Sequence, residues 1–376
     1  GCKYLLMQPL QKEDSTEWDL WGEYRGRFSS FHGIIRISSP FQFSSVEASG
    51  SNVIVKGVHR KIVLSFPGNI QFSGKLIYIR TGDDPNQILF ALHTLGSNTF
   101  EAEFQKEFEL LPSVKSHKES QVVNKYPFVL DSNEIENVNL SLRCKSCNEE
   151  SISLVATRVT ALPSSDWKEG AASWFCGCKH DPSKIVRLAD TIRDGVLMWT
   201  ETMAVIPYAS RESVICNKCH SPLGYHENDS ANFWLHSIKL IGNNKKNLLR
   251  SYSHEESFVS FLIDGLNSSP TILVPKIILK GNDLTLCLRV MDTQLNVYQG
   301  NHRGSIRLMN AFKLLYGEGS QLPKDELNEW MRYDVRVSIL QVPDDVIQNG
   351  LCLLEKNKSY AHPDDHDTQG FNVSFL

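Results

Sequence analysis

Hydrophobic positions in the first hundred residues recur mostly with a period of two. Short runs rich in β-branched and aromatic residues occupy 33–37, 52–56, 61–66 and 75–80, separated by Gly, Pro, Ser and Asn. Alternation with period two puts successive side chains on opposite faces, so these runs predict half-buried strands. In 101–110, Ala102, Phe104, Phe108 and Leu110 fall on one face of a further strand. Strands at this spacing predict a β-sandwich or an open barrel. From Pro112 to Tyr126 the chain turns polar, with Ser113, Lys115, Ser116, His117, Lys118, Glu119, Ser120 and Gln121 in succession or nearly so. Such a stretch reads as a loop or linker. The expected organisation is a β-rich N-terminal domain over 1–115, a linker over 116–126 and a second domain over 127–376.

Beyond the linker the periods mix. Ser165 or Asp166 can cap a short helix carrying Trp167, Ala171 and Trp174. Residues 248–266 and 305–315 show apolar positions at helical spacing, with Ile306, Met309, Phe312 and Leu315 along the latter. Strand candidates occupy 271–279, 283–291, 294–299 and 334–341, and in the last of these Val335, Val337 and Ile339 alternate. A short helix is expected over 344–355 and a polar tail from Asn357. The fold class expected is α+β, a β-rich N-terminal region followed by a mixed region with no regular βαβ repeat.

Composition narrows the function classes. The 376 residues are 41% hydrophobic and 22% charged, the make-up of an ordinary globular chain. Lysine and arginine number 39 against 43 acidic residues, a net charge of −4. That balance argues against nucleic acid as a direct partner. No apolar run reaches the roughly 18 residues of a membrane span. The opening Gly1-Cys2-Lys3-Tyr4-Leu5-Leu6 lacks a signal peptide's apolar core, and Leu5 stands where myristoylation needs Ser or Thr. No membrane partner is expected.

The nine cysteines carry the chemistry. Six form three tight pairs, Cys144 with Cys147, Cys176 with Cys178, and Cys216 with Cys219. A C-x-x-C suits a disulfide scaffold poorly, and a chain of this length needs no staples, so a reducing compartment, cytosol or nucleus, is expected. Each C-x-x-C offers a metal two thiolates from one turn. Two of them, 68 residues apart here, can complete a tetrahedral zinc site if the fold brings them together. Cys144, Cys147, Cys216 and Cys219 are therefore the candidate zinc ligands, with a redox pair or unrelated free thiols as the competing readings. The second pair runs on as His220-Ser221-Pro222-Leu223-Gly224, the small and apolar sequel of a zinc knuckle.

Cys176, in Trp174-Phe175-Cys176-Gly177-Cys178-Lys179-His180, has three readings. Lys179 and His180 would favour a thiolate nucleophile, Cys178 and His180 could join it around a second metal, and the tryptophans could simply cover it. Cys287 and Cys352 lie in apolar runs and read as core residues. His362, Asp364, Asp365, His366 and Asp367 read as a solvated tail. Residues 68–75 imitate a phosphate-binding loop, but the glycine spacing is one residue too long and Leu76 replaces the required hydroxyl.

The order of these motifs resembles the HECT-like ubiquitin ligase E-three-D family, described also as binding the cyclin-selective ubiquitin-conjugating enzyme. The first C-x-x-C is followed by Leu162-Pro163-Ser164-Ser165-Asp166-Trp167, Trp174-Phe175-Cys176, and the second C-x-x-C with Leu223-Gly224. Phe312-Lys313-Leu314-Leu315-Tyr316 and the stretch from Leu340-Gln341-Val342-Pro343 to Leu353-Leu354 are similar to its later blocks. The resemblance spans roughly residues 20–360. It implies a nuclear and cytoplasmic protein that accepts ubiquitin from a conjugating enzyme, with Cys176 as the candidate thioester cysteine. It also implies a rival role, a non-catalytic zinc-stabilised adaptor or chaperone for the pre-mRNA 3′-end cleavage endonuclease. The only late cysteine, Cys352, stands in Gly350-Leu351-Cys352-Leu353 and not in the Thr-Cys context of a true HECT ligase.

Overall fold

The computed structural model describes residues 17–39, 41–68, 70–95, 109–110, 137–162, 195–207, 214–227, 230–243, 245–268, 275–332, 337–362, 365 and 370–376. The chain divides into two compact units. The described residues of the first lie within Gly1–Glu109, Leu295–Asn310 and His362–Asp364, and those of the second within Leu110–Gln294, Ala311–Ala361 and Asp365–Leu376.

The first unit is a sandwich. Strands β1 (Trp18–Arg25), β2 (Ser30–Ile37), β6 (Phe72–Thr81) and β7 (Gln87–Thr94) form one antiparallel sheet in the order β1-β2-β7-β6, while β3 (Phe43–Ser49), β4 (Asn52–Gly57) and β5 (Lys61–Ser65) form the other. The alternation in β4 and β5 turns Val53, Val55, Ile62 and Leu64 inward, where they join Phe31, Ile35, Ile88 and Phe90 in one core. Phe31 is the hub. Its ring lies 5.0 Å from Phe66, 5.7 Å from Phe72 and from Tyr298, all edge to face, and 5.9 Å from Phe90. Room for the hub comes from two glycines opposite each other across β1 and β2, Gly22 and Gly33. A Cβ on Gly22 would stand 2.0 Å from the Phe31 ring, and one on Gly33 2.4 Å from the Phe90 ring.

Two cores build the second unit. In the first, β9 (Val138–Cys144) lies between β10 (Glu150–Ala156) and β16 (Ile238–Ile241). A five-stranded sheet runs β11 (Arg158–Ala161), β12 (Val196–Trp199), β13 (Met203–Pro207), β15 (Ser230–Trp234), β14 (Gly224–Glu227). Leu140, Leu142, Leu223, Phe233, Ile238 and Leu240 are buried between these sheets, in one cluster with Cys144 and Cys216.

In the second core, β17 (Lys276–Lys280) pairs antiparallel with β18 (Thr285–Asn301) and parallel with β20 (Val337–Gln341). Helices α1 (His254–Ser268) and α3 (Asp344–Lys358) pack on this sheet through Phe258, Leu262, Ile347 and Leu354. They approach so closely that a Cβ on Gly350 would stand 2.2 Å from the Phe258 ring. The remaining elements are β8 (Glu109–Leu110), β19 (Arg307–Glu318), α2 (Lys324–Arg332) and β21 (Asn372–Phe375). Residues 285–294 of β18 belong to the second unit and 295–301 to the first. Among the described residues no helix is long and apolar enough to cross a membrane.

The four N-terminal strand expectations fall on β2, β4, β5 and β6. The later expectations need correction at five places. The helix over 305–315 is β19: Phe312, Leu314 and Tyr316 enter the core on one face while Met309, Ala311 and Leu315 are buried on the other. Burial of both faces fills the i, i+3 positions as well as the i, i+2 positions, and pairing with β21 decides between them. The strands over 283–291 and 294–299 are one strand, β18, with polar Asp292 and Thr293 inside it. The helix over 248–266 begins only at His254. Ser253 and Glu256 form a capping box, Ser253 N donating to Glu256 Oε2 at 2.7 Å and Glu256 N to Ser253 Oγ at 3.1 Å.

The polar tail is no tail. Helix α3 runs on to Lys358, His362 is buried and receives a 2.7 Å contact from the Tyr78 hydroxyl, and Val373, Phe375 and Leu376 lie in cores. Cys352, expected inside, is exposed on α3, whereas Cys287 is fully buried and burial pushes its thiol up to about 12. The expected linker over 116–126 lies outside the described residues, as do the helix carrying Trp167 and most of the strand over 101–110.

Filling the space under Phe31 should be costly. Gly22→Ala should lower the stability of the full chain by roughly 1–3 kcal/mol through overpacking, read as a lower denaturant midpoint for the transition that reports the N-terminal sheet. An unchanged midpoint would contradict the close approach.

Candidate metal centre and the adjoining cleft

Two hairpin turns converge on the edge of the first core of the second unit. Cys144 is the last residue of β9, fixed beside Ile238 of β16, with Lys145 N donating to Ser237 O at 2.9 Å. Cys216 lies two residues after Val214, whose carbonyl accepts from Leu223 N at 2.8 Å. The two C-x-x-C turns are copies of one geometry. Asn148 N donates to Cys144 O at 2.9 Å and Cys144 N to Glu149 O at 2.8 Å; His220 N donates to Cys216 O at 2.9 Å and Cys216 N to Ser221 O at 2.9 Å. The residue after each second cysteine is left-handed, Asn148 at φ 63° and His220 at φ 58°. Asn and His are among the few side chains that tolerate that region.

The four sulfurs all lie within 4.8 Å of one another, with Cys144 Sγ 3.6 Å from Cys219 Sγ and Cys147 Sγ 3.3 Å from Cys216 Sγ. A tetrahedral ion with metal–sulfur bonds of about 2.3 Å requires sulfur–sulfur edges of about 3.8 Å. The observed spacing brackets that value, so the cluster can hold one metal ion. All four ligands would come from protein, which closes the coordination sphere and makes the centre structural, with no position for a reacting water. Cys144 and Cys216 are fully buried, Cys147 partly, and Cys219 is exposed.

The thiols are electrostatically unlike. The hydroxyl and the backbone amide of Ser221 favour the thiolate of Cys219 and bring it down to about 6. At Cys147 the amide of Glu149 pulls the same way, but desolvation and the neighbouring thiols outweigh it and push the group up to about 12.

Beside the knuckles opens a cleft of about 780 Å³, with Lys145, Ile215, Pro222 and Tyr225 on the knuckle side and 280–282 and 341–345 opposite. Its floor includes Trp234, whose indole N–H donates to Gln341 O at 3.1 Å and so joins the two cores of the unit. Behind it, Asp264 of α1 is fully buried and accepts from Thr200 and Thr202 at the β12–β13 turn. His236 stacks on Trp234 with ring centres 6.3 Å apart. Desolvation, aided by the charges of Lys145 and His254 and opposed by Asp345, brings it down to about 4, so its ring is neutral at pH 7.

Of the residues expected at a site, the structure therefore brings Cys144, Cys147, Cys216 and Cys219 together. Cys176, Cys178 and His180 lie outside the described residues. The cleft was invisible to sequence reasoning, since its walls come from seven separate stretches with no local motif.

The fold and site define a β-rich α+β protein with a four-cysteine centre. Its sequence matches the family described as HECT-like, ubiquitin-conjugating enzyme (E2)-binding, over residues 23–373. The chain belongs to that family. No curated protein and no solved structure matches it.

Cobalt(II) reports tetrahedral thiolate sites by its absorption. One equivalent should bind the full chain with that signature, and Cys216→Ser should weaken binding strongly; a parent chain without the signature would refute the cluster as a metal site. Binding should weaken on acidification because protons compete for the sulfurs. The dependence should steepen below about pH 6, where Cys219 takes up its own proton.

Proposed function

We propose that this protein binds a ubiquitin-conjugating enzyme and acts as a ubiquitin-protein ligase, with zinc at Cys144, Cys147, Cys216 and Cys219 as a structural tie. The observation that carries the reading is the family match across nearly the whole chain. Zinc suits the four-sulfur donor set, and a reduced tetrathiolate supports a cytoplasmic and nuclear setting.

In this reading Cys176 receives ubiquitin. Its thiolate attacks the carbonyl of the thioester that joins ubiquitin to the conjugating enzyme, and the enzyme's cysteine leaves as thiolate. A substrate lysine, as free amine, then attacks the new thioester; the amide forms, the amine proton is lost and Cys176 leaves as thiolate. Zinc supports the fold and takes no part in either transfer.

A second reading draws on the closed metal site: a centre without an open position, beside a cleft, also suits a non-catalytic adaptor, with the 3′-end cleavage endonuclease as its expected client. The two readings separate in one assay. Full chain is incubated with activating enzyme, conjugating enzyme, ATP and ubiquitin and run on a non-reducing gel. The ligase reading expects a reductant-sensitive adduct that Cys176→Ala abolishes and Cys352→Ala leaves intact. An adduct surviving Cys176→Ala would move the acceptor elsewhere, and absence of any adduct would leave the adaptor.

A further inference from the structure

The short sulfur contacts of the four-cysteine centre run between the two knuckles. Cys147 Sγ stands 3.3 Å from Cys216 Sγ and Cys144 Sγ 3.6 Å from Cys219 Sγ, so each sulfur of one turn has its own counterpart in the other. The sulfurs of a disulfide are about 2.05 Å apart, and the two pairs need to close by only about 1.3 and 1.6 Å to reach that distance. Four cysteines allow three connectivities. The geometry favours the one that pairs across the knuckles.

The centre is open to an oxidant at one corner. Cys144 and Cys216 are buried and Cys147 is partly so, but Cys219 is exposed, as are Lys218 and His220 on either side of it. A small oxidant therefore meets Cys219 first. The sulfur 3.6 Å away is that of Cys144, held at the end of β9 beside Ile238. Of the other described cysteines, Cys287 is fully buried in β18 and Cys352 stands on α3, both outside the cluster.

We propose that the four-cysteine centre is a peroxide-responsive site: oxidation joins Cys144 to Cys219 and Cys147 to Cys216, releases the metal ion and keeps the two turns together by covalent bonds. The assignment rests on the metal centre and on neither functional reading above. The thiolate of Cys219 attacks one oxygen of hydrogen peroxide; the O–O bond breaks, and the departing hydroxide takes up a proton as water. Cys144 then attacks the Cys219 sulfur as thiolate; the S–S bond forms, the S–O bond breaks, and the second hydroxide leaves and is protonated to water. Each disulfide thus consumes one peroxide and two protons, gives two waters and takes two electrons from the sulfurs. Cys147 and Cys216 repeat the sequence with a second peroxide. Thiolate is the metal-binding form of cysteine, so the ion leaves as the aqueous cation.

Connectivity decides what becomes of the fold. Bonds within each C-x-x-C would free the turns from each other once the ion is gone. Bonds across the knuckles keep closed the 68-residue separation that the ion spanned. Lys145 and Ile215 then hold their places in the cleft wall of the oxidised chain, and a thiol reductant returns the site to its metal-binding form.

The test uses the full chain loaded with one equivalent of zinc and freed of reductant. Hydrogen peroxide is added in steps, a chromogenic chelator reads the zinc released, and digestion without reduction followed by mass spectrometry maps the linkages. Release of the zinc should coincide with peptides joining Cys144 to Cys219 and Cys147 to Cys216, and dithiothreitol should restore binding of one zinc per chain. Cys352→Ala, outside the cluster, should release zinc as the parent does. In hydrogen exchange, the amides of Cys144 and Cys216 should be at least tenfold better protected in the oxidised, zinc-free chain than in the reduced chain stripped by a chelator. Linkages of Cys144 to Cys147 and of Cys216 to Cys219 would overturn the proposal. So would zinc retained while other cysteines are oxidised, or zinc released with sulfinic acids and no disulfide. A chain that takes up no zinc would overturn it together with the metal centre on which it rests.

Discussion

Four sulfurs held within 4.8 Å by turns that lie 68 residues apart are the constraint on which the second unit depends. Closing a loop of that length costs about 4 kcal/mol in chain entropy. A structural zinc in small peptides returns an apparent 10–16 kcal/mol at neutral pH, ample to hold the closure. The thiols are crowded, with Cys147 Sγ 3.3 Å from Cys216 Sγ and Cys144 Sγ 3.6 Å from Cys219 Sγ. The twin hydrogen-bond pattern gives both halves of the tetrahedron the same backbone geometry.

What the knuckles fix is a wall. Lys145, Ile215 and Pro222 stand on these turns, which a metal on the four sulfurs would lock. The opposite wall is locked separately: Asp344 ties the start of α3 to the β17–β18 turn, and a Cβ on Gly281 would stand 2.0 Å from its carboxylate. Trp234 and Asp264 then join the two cores behind the cleft by hydrogen bonds that a buried polar group must make. A concavity lined by both lysines and aspartates on such a frame suits recognition of a partner, since little order has to be created on binding.

The four-cysteine cluster was legible in the sequence because its signal is local: each C-x-x-C supplies two ligands from one turn, whatever lies between. The N-terminal sandwich was legible for a similar reason, since β4 and β5 bury one face only and so keep a clean alternation. Where both faces are covered that signal fails, and β19 took on the spacing of a helix. The C-terminus misled through composition, because the charged residues around 355–367 concealed the apolar strand that follows them, and Cys352 looked internal from Leu351, Leu353 and Leu354 until α3 turned it outward. The cleft had no local signature, since its lining stretches come together only through the tertiary fold.

Hydrogen exchange of the full chain, zinc-loaded and after removal of the metal by a chelator under reducing conditions, tests the structural tie most directly. The account predicts that the amides donating within the knuckles, those of Cys144, Asn148, Cys216 and His220, lose protection on metal removal together with β9 and β16. Protection at those amides that stays the same with and without metal would show that the fold, and not the ion, holds the two turns together.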